Sequence, residues 1–250
     1  MLNLRAYLSL ASAIFVYLMP CAYIQAAETV SIAINSIPGL LDESDPEAPY
    51  SKLLDRLFNM NTQPVKIEYF PGSRASMIFR DQKVDCMFPA SKKVQLDSSL
   101  DIESAALNTA GAFFFSRQPF DQEALLTLET PRYRIAYRRG NTFGGTLHRL
   151  QRHTLIEVNS DSQSFGLLNS GRVEFVLGYL PDVRGFLTLE DGSSLYYFPD
   201  KLFYSQNDSF LCHSNETTIR FIEEVNEHLA TLILTGELAA ILGDNYFTLQ

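Results

Sequence analysis

Two segments combine a glycine-containing turn with polar side chains that could hold an anion. Arg74 follows a Pro-Gly-Ser turn at 71–73, near the start of a predicted helix, and a guanidinium group suits bidentate capture of a carboxylate. Asn141 and Thr142 follow Gly140 at the predicted start of a second helix, where free N–H groups and a partial positive charge favour anions. A solvated surface arginine and an ordinary helix N-cap are the alternatives. Both segments are therefore candidate contacts for a carboxylate or another anion.

Further polar and aromatic side chains follow other strand-like segments. Ligands of open α/β sheets bind beyond the carboxyl ends of the strands, so we expect binding residues in the loops that follow strands. These loops supply five more candidate ligand contacts: Asn35, Tyr69, Ser91, Lys92 and Tyr179. The two tyrosines could stack on a ligand or face a cation, and packing in a core is the alternative. Lys92 could equally be a solvated surface lysine, since Lys93 follows it.

Catalytic and metal-binding patterns are missing from the sequence. There is no Gly-x-Ser-x-Gly segment and no phosphate-binding glycine loop, which are the signatures of α/β-hydrolases and of many nucleotide-binding enzymes. The histidines at 148, 153, 213 and 228 have no metal-ligand spacing with cysteines or carboxylates. We therefore expect no catalytic residues, no metal and no cofactor.

Composition and charge narrow the class of protein. The 250 residues carry 20 Lys and Arg against 29 Asp and Glu, a formal net charge of −9 at pH 7. Such a chain does not bind nucleic acid through its overall charge, so we expect no nucleic-acid partner. Hydrophobic residues make up 46% of the chain, enough to fill the core of one large domain or of two lobes of about 100 residues each.

The first 27 residues have the order of a secretory signal peptide. Arg5 precedes an apolar run at 6–19 and a small-residue Gln-Ala-Ala end at 25–27, which match the charged, hydrophobic and cleavage regions of such signals. A membrane anchor and a lipid-anchored Cys21 are the alternatives. The apolar run is shorter than the ~20 residues that a spanning helix needs. We therefore predict secretion, with cleavage near Ala27.

Two cysteines, Cys86 and Cys212, remain after the predicted cleavage site. Both lie in apolar, strand-like runs. An exported protein meets an oxidising compartment, so a disulfide between them is permitted. Because the sequence does not give the geometry of the pair, two small buried hydrophobic residues are the alternative.

Strand-like and helix-like segments alternate along the chain. Alternating apolar and polar residues predict strands, and apolar residues at helical spacing predict helices. The predicted strands are 30–34, 65–69, 83–88, 111–116, 133–137, 154–158 and 173–177. The predicted helices are 49–58, 73–80, 142–152, 162–169, 181–187, 216–234 and 237–242. Because strands alternate with helices, we predict an α/β protein with a largely parallel sheet.

Four motifs occur in order along the chain. They are Lys-Val-Asp at 83–85, Tyr-Arg-Arg-Gly-Asn-Thr at 137–142, Leu-Asn-Ser-Gly-Arg-Val-Glu at 168–174, and the helical segment 222–238 with its Thr-Gly break. Together they resemble the bacterial family 3 extracellular solute-binding proteins, over almost the whole chain after residue 27. The resemblance implies the type II periplasmic binding protein fold, an α/β fold of two lobes, each a mostly parallel sheet flanked by helices.

The resemblance also implies how the chain is divided. Lobe 1 would comprise residues 28–113 and 204–250, and lobe 2 residues 114–203. Two crossing strands would form the hinge between the lobes. Cys86 and Cys212 would then share lobe 1, where neighbouring strands could hold them.

The function implied by the resemblance is capture of a small polar solute, an amino acid or a related molecule, by hinge closure in the periplasm. The protein would act as a monomer and deliver the solute to the inner-membrane permease of an ABC importer. The family's amino-acid binders place an aspartate shortly after a lobe 2 strand to pair with the ligand's ammonium, whereas Tyr179 holds that place here. The alternatives are a stand-alone periplasmic sensor and a cleft enzyme of dehydratase type, with Glu174 and Asp182 as candidate acid or base.

Overall fold

The computed structural model describes residues 28–92, 100–127, 131–188, 192 and 194–247. The predicted signal peptide, residues 1–27, lies outside the described residues. Among those residues, no single helix is long and apolar enough to cross a membrane. Only the segments Glu216–Leu234 and Glu237–Asn245 taken together, with an 85° bend between them, have that length and composition.

Strands alternate with helices through most of the described chain. The strands are β1 Val30–Asn35, β2 Val65–Phe70, β3 Cys86–Ala90, β4 Asp101–Glu103, β5 Asn108–Phe115, β6 Arg134–Arg138, β7 Thr154–Val158, β8 Phe175–Tyr179 and β9 Tyr204–His213. The α-helices are α1 Pro49–Phe58, α2 Gly72–Arg80, α3 Gln122–Leu125, α4 Asp161–Asn169, α5 Leu180–Val183, α6 Glu216–Leu234 and α7 Glu237–Leu242. Short 3-10 helices lie at Phe143–Leu150, Arg184–Phe186 and Gly243–Asn245. The predicted α/β class is confirmed.

The strands form two lobes that share β9. In lobe 1, β1 pairs in parallel with β2 and β3, and β9 runs antiparallel to β3 and β4. In lobe 2, β6 pairs in parallel with β7 and β8, and β5 lies antiparallel between β8 and β9. Helices α1, α2, α6 and α7 pack on lobe 1, while α4 and α5 pack on lobe 2. Each lobe is thus a mixed sheet in which three strands run parallel, further strands pair antiparallel, and helices pack against it.

The backbone passes between the lobes at the start of β5 and in the middle of β9. Residues 204–208 of β9 pair with β5, and residues 209–213 pair with β3 or β4. The predicted boundary after residue 113 falls within β5, and the one after residue 203 falls immediately before β9. These two strands are the connections on which any movement between the lobes would turn.

Helix α6 packs in lobe 1, although it follows lobe 2 in the sequence. Asn215 and Thr218 form a capping box at its start, each side chain accepting a hydrogen bond from the other's backbone N–H, which satisfies N–H groups that a helix start leaves free. The helix contacts β1, β4 and β9. Its buried apolar face consists of Phe221, Ile222, Val225, Leu229 and Leu232. This face closes the hydrophobic core of lobe 1.

Cys86 and Cys212 form a disulfide. They face each other in the antiparallel pair of β3 and β9, and both are fully buried. Of the two alternatives that the sequence left open, the structure has the disulfide. The bond joins positions 126 residues apart, so the loop that it closes contains the whole of lobe 2.

Candidate functional site

Two neighbouring cavities lie between the lobes. The smaller cavity, of about 80 Å³, is lined by residues at the ends of β1 and β3 and by residues at the ends of β6 and β8. The larger cavity, of about 320 Å³, is lined by the loop that follows β1, by the start of α4 and by residues of α5 and the 3-10 turn after it. Arg138, the last residue of β6, lines both. The cavities lie where the carboxyl ends of parallel strands from the two lobes meet, the position expected for a ligand.

The structure brings together four of the eight predicted ligand contacts. These four line the smaller cavity: Asn35, Asn141, Thr142 and Tyr179. In the part of the chain that the structure describes, the other four lie outside both cavities: Tyr69, Arg74, Ser91 and Lys92.

Local contacts account for the position of two of the other four side chains, Arg74 and Tyr69. Arg74 is exposed, and its guanidinium lies over the Phe70 ring at 5.7 Å from the centroid. Tyr69 packs against the core of lobe 1 on the side of the sheet that faces α1. Ser91 is buried and Lys92 is exposed. Ligand contacts by these four residues stay a prediction.

Two amide side chains face the smaller cavity from opposite lobes. The Oδ1 atom of Asn35 and the Nδ2 atom of Asn141 are buried, and neither has a hydrogen-bond partner among the described residues. Gly72 allows the close approach of Asn35, because a Cβ at position 72 would lie 2.8 Å from Asn35 Oδ1. Gly140, beside Asn141, has a φ of +91°, a conformation that favours glycine. Buried polar atoms are normally paired, so a ligand that donates to Asn35 and accepts from Asn141 would complete the site.

The α-helix predicted to begin at Thr142 is wrong. Phe143–Leu150 is a 3-10 helix broken at Gly144 and Gly145, with φ of 59° and 77°, conformations that glycine adopts at little cost. Within the described chain, Thr142 makes no side-chain capping bond. The predicted anion contact relied on the free N–H groups of a regular helix, and this irregular segment offers only its local backbone and the Thr142 side chain.

A hydrogen-bonded network at the crossing strands β5 and β9 links the core of lobe 1 to the smaller cavity. The Tyr50 hydroxyl donates to Asp208 Oδ2 at 2.5 Å, and Asn108 Nδ2 donates to the Tyr50 oxygen at 2.9 Å. On the cavity side, the Tyr179 hydroxyl donates to Gln206 Oε1 at 2.9 Å, and the Gln206 side chain also bonds to Asp208. Burial raises the pKa of Asp208 to about 6, although the bonds from Tyr50 and Gln206 oppose the rise. Asn108 and Asp208 are paired across β5 and β9, so the network lies where the lobes join.

One arginine and two carboxylates line the larger cavity. Arg138 Nη1 lies 3.2 Å from Asp161 Oδ2 and 3.8 Å from Asp182 Oδ2, and the three side chains are 10–12% exposed. Burial and the nearby Asp161 together raise the pKa of Asp182 to about 8, although Arg138 opposes the rise. Burial also raises the pKa of Asp161. At neutral pH Asp182 therefore holds a proton, and the charges of Arg138 and Asp161 offset each other.

Sequence reasoning missed four polar residues of this region: Arg138, Asp161, Gln206 and Asp208. The rule that binding residues follow strands would have included Arg138, because it ends β6. Asp161 follows the next strand after a capping serine, a pattern that signals only a helix start. Gln206 and Asp208 lie inside β9 and reach the site only because that strand crosses between the lobes.

Comparison with known proteins shows which fold this architecture belongs to. No protein-family model matches the chain, and no curated protein matches it in sequence. The GluR0 ligand-binding core from Nostoc punctiforme, solved with L-glutamate, is similar in structure, with a TM-score of 0.69, 13% identity and coverage of 87% of this chain and 99% of that one. Two further solved structures are also similar. One is an arginine transport periplasmic binding protein from Legionella pneumophila, with a TM-score of 0.67, 11% identity and coverage of 87% of this chain and 99% of that one. The other is the ancestral amino acid-binding protein AncCDT-1, with a TM-score of 0.65, 12% identity and coverage of 88% of this chain and 95% of that one. The chain therefore has the two-lobed type II periplasmic binding protein fold.

Proposed function

We propose that this protein captures a small polar solute between its lobes in the periplasm and delivers it to the permease of an ABC importer. The observation that carries the proposal is the smaller cavity, where Asn35 of lobe 1 and Asn141 of lobe 2 present buried amide atoms without partners among the described residues. Structurally similar proteins support it, since their descriptions name L-glutamate and arginine. The solute would be an amino acid or a related molecule.

The mechanism would be a shift between open and closed arrangements of the lobes. A solute that bonds to both Asn35 and Asn141 can do so only when the lobes are together, so it would favour the closed state by that difference in affinity. The two crossing strands, β5 and β9, would act as the hinge. The Tyr50–Asp208 hydrogen bond lies at the crossing and would hold the hinge strands in register with lobe 1.

Export into the periplasm is part of the proposal. The signal-like segment 1–27 supports it, and so does the Cys86–Cys212 disulfide, because such bonds persist in oxidising compartments. Fractionation of the native host, with an antibody against the protein, measures the location. A protein of full, uncleaved mass in the cytoplasm would contradict export.

Solute binding is tested on protein purified from its own host. Native mass spectrometry should detect a co-purified small molecule, and that molecule should raise the melting temperature of ligand-free protein and reduce its radius of gyration in X-ray scattering. Asn35→Ala and Asn141→Ala should each weaken binding by about 10-fold, the effect of about one lost hydrogen bond. Asn169→Ala, at an exposed position of α4, is the matched control. If no molecule co-purifies and no member of a library of amino acids, organic acids, polyamines and oligopeptides shifts the melting temperature, the proposal is wrong.

A cleft enzyme of dehydratase type is the second candidate. AncCDT-1 is described as a precursor of cyclohexadienyl dehydratase, and Asp182 lines the larger cavity with a pKa of about 8, suited to general-acid chemistry. Glu174 is a weaker candidate, because it lies outside both cavities and pairs with Arg134 on the surface. Turnover of a prephenate-like substrate that disappears in Asp182→Asn would favour the enzyme.

A stand-alone sensor would use the same cleft and the same closure. It differs from a transport protein in its partner, so the neighbouring genes discriminate between them. Permease and ATPase genes beside this one favour transport, and a membrane signalling gene in their place favours a sensor.

A further inference from the structure

The larger cavity is lined by two carboxyl groups and only one cationic side chain among the described residues. Asp161 and Asp182 line it together with a single guanidinium, that of Arg138, which already bonds to Asp161. Its lobe 1 wall consists of described residues without charge, Ser36, Ile37, Pro38 and Pro71. A ligand carboxylate would therefore find no unpaired cation on this wall, and would face two acidic groups.

One carboxylate oxygen at this cavity lacks a partner. Asp161 is 8% exposed, and its Oδ2 accepts from Arg138. Its Oδ1 is buried and, among the described residues, no group outside Asp161 itself donates a hydrogen bond to it. Asp182 Oδ2 lies 3.8 Å from Arg138, beyond ordinary hydrogen-bond distance. A buried acceptor left unpaired is costly, more so when it is charged, so a cationic donor would remove an existing penalty.

Apolar surface completes the wall around these acids. Ile37 and Pro38 from lobe 1 and Phe186 from lobe 2 line the same cavity. An ammonium ion alone would leave this surface uncovered, whereas an amine with a hydrocarbon body would bury against it. The volume of about 320 Å³ is within the range of small-molecule sites.

We infer that the larger cavity binds the ammonium or guanidinium group of a cationic solute, with Asp161 and Asp182 as its carboxylate contacts and the apolar wall against its hydrocarbon chain. The inference rests on the proposed function and names the chemical class of its solute. Tyr179 is the last residue of β8, and Asp182 lies three residues later on α5. The carboxylates that receive the cation are thus supplied by α4 and α5.

Binding of a cation should also release a proton. The pKa of Asp182 is about 8, and the charged and titratable groups that act on it are Asp161, Asp208 and Arg138, with Tyr50 and Tyr179 also within reach of its charge. A cation beside Asp182 favours the ionised carboxylate and lowers its pKa. Below about pH 8 the proton therefore leaves as the solute enters, and affinity should rise with pH up to that value.

The test compares five-carbon probes of different charge on ligand-free protein. Isothermal titration calorimetry with cadaverine, 1,5-pentanediol and glutarate should give binding in the order cation, neutral, anion, and agmatine should bind as a second cation. The binding enthalpies measured at pH 7 in phosphate and in Tris should differ by the difference between the ionisation enthalpies of the two buffers, because the buffer takes up one released proton. Asp161→Asn and Asp182→Asn should each weaken cadaverine binding by about 10- to 100-fold, and the proton release should disappear in Asp182→Asn. Asp81→Asn, an exposed acid paired with Lys83, is the matched control and should bind as the wild type does.

The results separate this inference from the proposed function. Binding of glutarate or the diol more tightly than both cations overturns the inference and leaves solute capture standing. Cadaverine binding that is unchanged in both aspartate variants, with circular dichroism showing that they are folded, overturns it as well. If neither these probes nor the wider solute library binds, the proposed function itself fails.

Discussion

Removal of the Cys86–Cys212 disulfide should destabilise the protein by several kcal/mol without altering the cavities. The bond closes a loop between positions 126 residues apart. In the chain-entropy account, opening a loop of this length returns about 5 kcal/mol of conformational freedom to the unfolded chain at 25 °C, and native disulfides contribute about 2–5 kcal/mol when measured. The double variant Cys86→Ala/Cys212→Ala also loses the packing of two fully buried sulfur atoms. We therefore expect its free energy of unfolding to fall by at least about 3 kcal/mol.

Equilibrium unfolding in guanidinium chloride measures this change. Far-UV circular dichroism and tyrosine fluorescence follow the transition, since the sequence has 12 tyrosines and no tryptophan. Wild-type protein in a reducing agent is the matched control, because it keeps both sulfur atoms and loses only the bond. Its stability should lie between that of the oxidised protein and that of the double variant.

Two results would refute this reasoning. The first is a free energy of unfolding within about 1 kcal/mol of the oxidised wild type in both the reduced protein and the double variant. The second is two reactive thiols in mature protein that has been denatured without a reducing agent. Solute affinity at low denaturant should not change, because neither cysteine lines the smaller or the larger cavity.

Two further predictions concern buried charges. Asp208→Asn should flatten the pH dependence of stability between about pH 4 and 6. The folded-state pKa of Asp208 is raised to about 6, so its contribution to stability is full below about pH 4 and is lost as the pH rises through 6. In the wild type the free energy of unfolding should therefore fall by about 1.4 kcal/mol per pH unit over this range. Urea unfolding across this range measures it, and identical profiles for variant and wild type would contradict the raised pKa. Arg138→Met should lower stability at pH 8 by about 3 kcal/mol, because it leaves Asp161 and Asp182 buried without a cation, and by less at pH 5. Thermal unfolding measures the loss, with Arg139→Met as an exposed control that should change stability by under about 1 kcal/mol. Equal losses of stability in the two variants would contradict the stabilising role of Arg138 in the buried cluster.

The alternation of strands and helices was predictable from the sequence because it is a local property. A strand with one buried face alternates apolar and polar residues, and a helix repeats its apolar residues every three or four positions. Segments such as Val65–Phe70 and Glu216–Leu234 show these patterns whatever lies elsewhere in the chain. The ends of strands are equally local, and for that reason Asn35, Asn141 and Tyr179 were found among the residues that line the smaller cavity.

The direction of a side chain beyond a strand end was not predictable in the same way. Gly72 and Ser76 of α2 line the smaller cavity, and they lie one turn apart on the same face of the helix. Arg74 is two residues from each, about 200° around the helix axis, and so it points away from that cavity, over Phe70. A sequence that predicts the helix start within a residue or two does not determine which of its side chains faces the other lobe.

The sequence alone determined the α/β class, the polar strand ends and the two cysteines that could pair. Tertiary structure decided that Arg138, Asp161 and Asp182 share one cavity, that β9 carries Asp208 to the junction of the lobes, and that the cysteines face each other. The physical reason is the distance along the chain over which each kind of interaction acts. Periodic burial is set by neighbours within a few residues, whereas contacts between charges, hinge strands and sulfur atoms depend on the path of the whole chain, which brings together groups from separate elements.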